Sequence, residues 1–153
     1  MVPALCLGIV IGKALQKYRG KEYQNQIKSY GEKWFEYFQL LNRWMAVKSE
    51  GKQIADFLVR EEIHKIAVYG VGDLANRLSE ELQNTDVQIM YGIDRDVSCT
   101  NSKIAPVFSL DDEWPEVDAV VITPFLSADN IGKDLIQKCS YRLISLDTII
   151  YSM

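Results

Sequence analysis

Histidine and cysteine are scarce in this chain, which limits the chemistry open to it. His64 is the sole histidine, and Cys6, Cys99 and Cys139 are scattered, odd in number and without C-x-x-C spacing. That pattern excludes a disulfide framework or a zinc site and reads as three reduced cytosolic thiols. No Gly-x-Ser-x-Gly elbow, no Tyr-x-x-x-Lys proton relay and no metal-ligand cluster occurs, and there is no internal repeat or low-complexity tract. Positive charge is also short where a folded domain is expected. Residues 1–65 carry eleven Lys/Arg against seven Asp/Glu, whereas residues 66–153 carry six against fourteen. An acidic domain argues against nucleic acid, whose phosphates need clustered Lys and Arg. Hydrophobic content of 48% with 25% charge is nonetheless that of a globular protein, not a disordered one.

Long apolar runs are missing as well. The longest, Met1–Gly12, is followed by Lys13, Lys17, Arg19 and Lys21. Twelve helical residues reach only ~18 Å, short of a ~30 Å hydrocarbon core. A signal peptide begins with its positive charges and ends in a cleavage site, and here the order is reversed. Two readings stay open for residues 1–21: a remnant of a membrane anchor with its basic flank in the cytoplasm, or an apolar helix docking on a partner chain.

Residues 22–51 are expected to link this segment to a domain over 52–153, with a long helix across 22–48. Its seam is Tyr23, Ile27, Tyr30, Trp34, Tyr37, Leu41 and Trp44, alternately four and three apart, an a/d ladder over about three heptads. Phe35, Phe38 and Met45 widen the stripe. Aromatic rings bury roughly 150–250 Å² each, so such a seam needs cover. A homodimer through residues 22–48 is the favoured reading, and folding back onto the domain the other.

From residue 52 the pattern alternates. A short helix over Lys52–Arg60 precedes a strand at Lys65–Tyr69, a helix at Asp73–Asn84 and a strand at Val87–Ile93. After a polar loop, Asp96–Lys103, come a brief strand near Ala105–Phe108, a strand at Asp118–Thr123, a helix at Ala128–Cys139 and a strand at Arg142–Leu146. Strands without polar alternation are those buried on both faces. The expected fold is α/β: a three-layer αβα domain with a five-stranded, mainly parallel sheet ordered 3-2-1-4-5, preceded by a long helix.

The first strand runs straight into Gly70-Val71-Gly72-Asp73-Leu74-Ala75, a G-x-G-x-x-A turn that opens a helix. Two glycines let the backbone bend and approach a pyrophosphate, and Ala75 lets the helix lie close on the sheet. Asp94 ends the second strand 22 positions after Gly72, near the ~20-residue offset of a ribose ligand. In such a sheet the ligand lies at the carboxyl ends of the strands. The candidate cofactor-binding residues are therefore Gly70, Val71, Gly72, Asp73, Leu74, Asp94, Arg95 and Thr123, with Pro124 and Phe125 beside them. Asp94 would accept from a ribose diol, and as a strand-end carboxylate in an open cleft it should support little packing. Arg95 could pair with a 2′-phosphate, but the order Asp then Arg leans to an unphosphorylated ribose. Asp73 complements the helix dipole and could fill or repel the phosphate position. Thr123 either contacts a ligand or simply ends its strand. His64 falls at the opposite, amino end of the sheet, and the acidic run Asp111, Asp112, Glu113, Glu116 and Asp118 reads as a solvated connection.

Three segments, Lys65-Ile-Ala-Val-Tyr-Gly-Val-Gly-Asp-Leu-Ala75, Tyr91-Gly-Ile-Asp-Arg95 and Val117-Asp-Ala-Val-Val-Ile-Thr123, resemble small Rossmann-like domains of bacterial capsule and surface-polysaccharide proteins. These domains are akin to CoA-binding and nucleotide-sugar-modifying Rossmann domains. The resemblance spans residues 40–150 and includes a linking helix like Leu40–Lys52. It implies NAD(P), CoA or nucleotide-sugar binding at Gly70, Gly72 and Asp94, and some relatives carry an N-terminal apolar segment; the expected location is the cytoplasm, with tethering to the inner face of the membrane if residues 1–21 are an anchor. It supplies no reaction. An NAD-dependent dehydrogenase or epimerase would need a base at the cleft, and none is placed there; a scaffold with a degenerate pocket is the third reading.

Overall fold

Ile66, Ala67 and Val68 have no exposed surface, and neither do Ala119, Val120 and Val121. These two apolar runs lie side by side at the centre of the sheet, because only a strand covered on both faces can be apolar at every position. The computed structural model describes residues 4–98 and 102–153, with the side chains of the first helix described from residue 19. Cys6, Cys99 and the apolar segment 1–12 with Lys13 and Lys17 fall outside those described side chains.

The chain divides into two compact units, Met1–Gln39 and Leu40–Met153. Helix α1 is Ala4–Ser49, longer than the expected 22–48, and it runs through Gly20 and Gly31 without a break. No helix among the described residues is long and apolar enough to cross a membrane. In the first unit Tyr23, Ile27, Tyr30, Trp34, Phe35 and Phe38 are all exposed.

In the second unit α1 ends with Leu40, Trp44 and Val47 buried. Trp44 was expected in the exposed seam; its indole is instead covered within its own domain and donates to Glu81 Oε2 at 2.6 Å. There follow α2 (Ile54–Arg60), β1 (Lys65–Tyr69), α3 (Asp73–Glu81), β2 (Gln88–Ile93), β3 (Val107–Phe108), β4 (Ala119–Ile122), α4 (Ala128–Ile136), β5 (Arg142–Ser145) and α5 (Leu146–Ser152). The sheet is parallel throughout, in the order β3-β2-β1-β4-β5. Right-handed crossovers then send α3 and α4 to opposite faces. Ala67, Tyr69, Val120 and Ile122 pack with Ile131 and Leu135 of α4 on one side. On the other, Glu81 of α3 accepts the Ile54 N–H that opens α2, and α2 meets α5. The result is the three-layer, Rossmann-like αβα arrangement. β1 and β4 are neighbours, paired from Ile66 with Ala119 to Tyr69 with Ile122, and connections leave them to opposite sides. That makes their carboxyl ends the switch point.

The amino ends are tied by Asp118, whose Oδ2 accepts the N–H groups of Lys65 (2.7 Å) and His64 (2.8 Å). Those two backbone bonds, Lys65 first, hold its carboxyl below the ordinary value. A carboxylate lowered in the folded state stabilises the fold above the unfolded value, about 4, and that gain fades as pH falls through the lowered value. Asp118 is exposed, so solvent screens the effect and a small one is expected. Urea midpoints measured from about pH 6 to about pH 3 should fall less in Asp118→Asn than in the wild type over that window. Parallel curves would remove Asp118 from the acid response.

Candidate functional site

At the switch point the chain leaves β1 through Gly70, at φ +83°. A side chain there would put Cβ 2.6 Å from Pro124 Cγ and 3.1 Å from Thr123 Oγ1. Only glycine suits both the left-handed backbone and the approach of the β4 end. The turn is then pinned from three sides. Gly70 N–H donates to the Ile93 carbonyl at 2.8 Å, Thr123 Oγ1 donates to the Gly70 carbonyl at 2.6 Å, and Val71 N–H donates to Asp94 Oδ2 at 2.9 Å. Val71 is buried over Gly92 of β2, where a Cβ would sit 2.4 Å from Val71 Cγ1. Gly92 of β2 is therefore a third glycine that the turn requires, which a G-x-G-x-x-A pattern does not reveal.

Gly72 differs from its neighbours. It is the N-cap of α3 with no side-chain cap, and a Cβ built on it meets no heavy atom within 4 Å. Its φ is −86°, so nothing in the backbone requires glycine either. The first intrahelical bond of α3 runs from Asn76 N–H to the Gly72 carbonyl. The amides ahead of it are the orphan donors of a helix start, at the positive end of the helix dipole, and the space beside the Gly72 Cα is open. A phosphate oxygen is the chemistry that such an arrangement accepts.

The structure brings Gly70, Val71, Gly72, Asp73, Leu74, Asp94, Arg95 and Thr123 to one end of the sheet, and their roles divide. Val71 and Leu74 are buried and serve packing, while Gly72, Asp73 and Arg95 are exposed. Thr123 is buried, with its hydroxyl proton committed to the backbone of β1 and the turn. Asp94 is half-buried and takes one N–H on each oxygen, Val71 on Oδ2 and Asp96 on Oδ1 at 3.0 Å. The expectation that it supports little structure is corrected on this point: it clamps the turn after β1 to the end of β2. Lone pairs remain on both oxygens, so a ribose hydroxyl can still donate to it.

The surroundings are acidic. Asp73, Asp94 and Asp96 outnumber Arg95, and the Ser98 hydroxyl and N–H hold the Asp96 carboxyl below its ordinary value. A second support for the turn is Asn76 of α3, buried, whose Oδ1 accepts Lys103 N–H at 2.8 Å and so anchors the loop after β2. A buried Asn on the inner face of an otherwise amphipathic helix was the signal for it.

Tyr91 lies away from this end. Its hydroxyl donates to the Pro115 carbonyl at 2.6 Å, and burial, with Tyr141 nearby, pushes its pKa up to about 12. It fastens the acidic connection, and its hydroxyl stays protonated at neutral pH. His64 is exposed at the amino end of β1, opposite the turn, as expected.

The fold defines the chain as a Rossmann-like α/β domain, with an uncapped helix start at the turn after β1. No protein-family model matches the sequence, and the characterised proteins include none similar to it.

Proposed function

We propose that the chain is a nucleotide-binding module whose switch-point turn holds the phosphates of a dinucleotide or nucleotide sugar. The observation that carries this reading is Gly72. Gly70 and Gly92 are glycines because neighbouring atoms leave no room, but around Gly72 the protein itself imposes no such limit. A glycine at an uncapped helix start, where Ser, Thr, Asp or Asn would be the better cap, suits close approach by a ligand.

The acidic surroundings select among ligands. Phosphate binding at Asp73, Asp94 and Asp96 must rest on amide donors and the dipole, so extra phosphates are disfavoured. NAD or a nucleotide sugar suits the site better than NADP or CoA, with Asp94 accepting from the ribose diol. The resemblance of β1 and β2 to capsule-protein domains supports a role in surface-polysaccharide assembly. Binding, with no reaction of its own, is the activity that these residues support.

A thermal-shift series with NAD, NADP, CoA and nucleotide sugars tests this. A ligand at 100 times its dissociation constant adds about 2.7 kcal/mol of stability, enough to see clearly. NAD or a nucleotide sugar should give the largest shift. Asp94→Asn, which keeps an acceptor for Val71 N–H, should weaken that ligand by roughly tenfold to a hundredfold, the ~1–3 kcal/mol of a charge-assisted hydrogen bond. No shift with any nucleotide at millimolar concentration would leave a scaffold with an unused turn.

A further inference from the structure

The hydrogen-bond ladder of the sheet continues one step beyond its strands. β1 ends at Tyr69, whose carbonyl accepts Thr123 N–H at 3.0 Å, and Gly70 N–H donates to the Ile93 carbonyl at 2.8 Å. At Gly70 the chain turns out of the sheet with φ +83°. The next peptide is held by side chains instead of backbone. Thr123 Oγ1 donates to the Gly70 carbonyl at 2.6 Å, and Asp94 Oδ2 accepts Val71 N–H at 2.9 Å. The Gly70–Val71 peptide plane is thus gripped at both edges, by the end of β4 on one and the end of β2 on the other. Further along, the Gly72 carbonyl already belongs to α3, accepting Asn76 N–H at 3.0 Å. A single peptide unit, Val71–Gly72, lies between grip and helix.

Gly70 and Gly72 flank Val71, and glycine has more backbone freedom than any other residue. Without restraint, the entry to α3 would sample several orientations. Thr123 removes that freedom on the β4 side. It is 3% exposed, and its β-branched side chain has a restricted χ1. Its single hydroxyl proton goes to the nearer of two carbonyls, Gly70 at 2.6 Å over Tyr69 at 3.1 Å. Buried and with that proton committed, Thr123 has no donor left for a ligand.

We infer that Thr123 is a positioning residue: it holds the Gly70–Val71 peptide so that the α3 amides stand ready for a phosphate before one arrives. The inference rests on the nucleotide reading and adds to it a residue that touches no ligand. Donors fixed in advance lose little freedom on binding, so the grip acts on affinity as well as on stability. Asp94 holds the other edge and is also the ribose acceptor of that reading, so its variants mix two roles. Thr123 separates them.

Amide hydrogen exchange by NMR and calorimetric titration with NAD test this on the full chain, in the wild type, Thr123→Val, Thr123→Ser and Thr123→Ala. Valine exchanges the hydroxyl for a methyl. Serine and alanine differ in the hydroxyl alone, which keeps the comparison if the valine variant does not fold. In the wild type the Val71 amide should be protected. Loss of the hydroxyl should speed Val71 exchange and weaken NAD binding by about tenfold each, the scale of one lost hydrogen bond. Ile66, Ala67 and Val68 of β1 should keep their protection, and Thr123→Ser should restore both Val71 exchange and NAD affinity. Unchanged Val71 exchange in Thr123→Ala overturns the inference, as does a serine variant that binds as weakly as alanine. Faster Val71 exchange at unchanged NAD affinity overturns it too, because the grip would then position nothing. Faster exchange throughout β1 would reduce Thr123 to a support of the sheet and overturn it likewise. A wild type that binds no NAD overturns the nucleotide reading and the positioning role with it, whereas Val71 exchange still shows whether the grip exists.

Discussion

Glu81→Ala is expected to lower the stability of the Leu40–Met153 unit by about 2–6 kcal/mol, for two buried donors left unmet at ~1–3 kcal/mol each. The Glu81 side chain is only 4% exposed. Its Oε2 accepts Trp44 Nε1–H at 2.6 Å, its Oε1 accepts Ile54 N–H at 2.9 Å, and Lys48 Nζ lies 3.3 Å from Oε2. One carboxylate thus joins the end of α1, the start of α2 and the last residue of α3. A carboxylate at a helix C-terminus opposes the dipole, so its presence there depends on these partners. Trp44→Phe keeps the ring's burial and removes one donor with its bond, so a smaller loss of about 1 kcal/mol is expected. Urea unfolding followed by circular dichroism measures both. A loss below about 1 kcal/mol for Glu81→Ala would mean that solvent replaces all three contacts.

Gly70→Ala should be nearly as damaging, at about 2–5 kcal/mol. A non-glycine residue in the left-handed region costs ~1–2 kcal/mol, and forcing a methyl into a filled site typically costs ~1–3 kcal/mol more. The neighbours cannot yield: Pro124 is a rigid ring with Cγ 2.6 Å and Cδ 2.7 Å from the added Cβ, and Thr123 is held by its bond to the Gly70 carbonyl. Gly72→Ala provides the contrast, because its methyl meets nothing and the change of N-cap costs roughly a few tenths to 1 kcal/mol. Equal losses at the two positions would contradict the distinction between a glycine required by the fold and one left open to a ligand.

The centre of the sheet was legible because burial on both faces leaves an apolar run with abrupt ends. β1 matches its expected span, Lys65–Tyr69, for Gly70 stops it at once. The strand order also followed, since short alternating strands and helices with right-handed crossovers leave few arrangements. Helix ends were less legible. Asp73–Asn84 and Ala128–Cys139 were expected, and α3 and α4 stop at Glu81 and Ile136. Leu82 is buried and its N–H makes the closing helical bond, to the Leu78 carbonyl, so the apolar pattern runs past Glu81. α5 was missed because it springs from β5 without a loop, although Leu146, Ile149 and Ile150 have helical spacing. Ser145, taken as strand interior, is its N-cap and bonds Asp147.

The site was legible where its logic is local. Gly70, Gly72 and Asp94 come together as their spacing implied. What sequence could not reveal were pairings across distance: Trp44 with Glu81, 37 positions apart, Val71 with Gly92, and Asn76 with Lys103. The aromatic seam differs from its expected span at its last member, because Trp44 is buried in the Leu40–Met153 unit and bonds Glu81.

The most direct measurement is calorimetric titration of NAD into the wild type and Gly72→Ser, each paired with its unfolding midpoint. Serine is a better N-cap than alanine and at least the equal of glycine, so the variant should be as stable as the wild type or slightly more so. Its side chain would occupy the space above α3 where the phosphate is to sit. The wild type should bind NAD, and the folded variant should bind at least tenfold more weakly. Equal affinity in the two proteins would contradict a phosphate site at this turn.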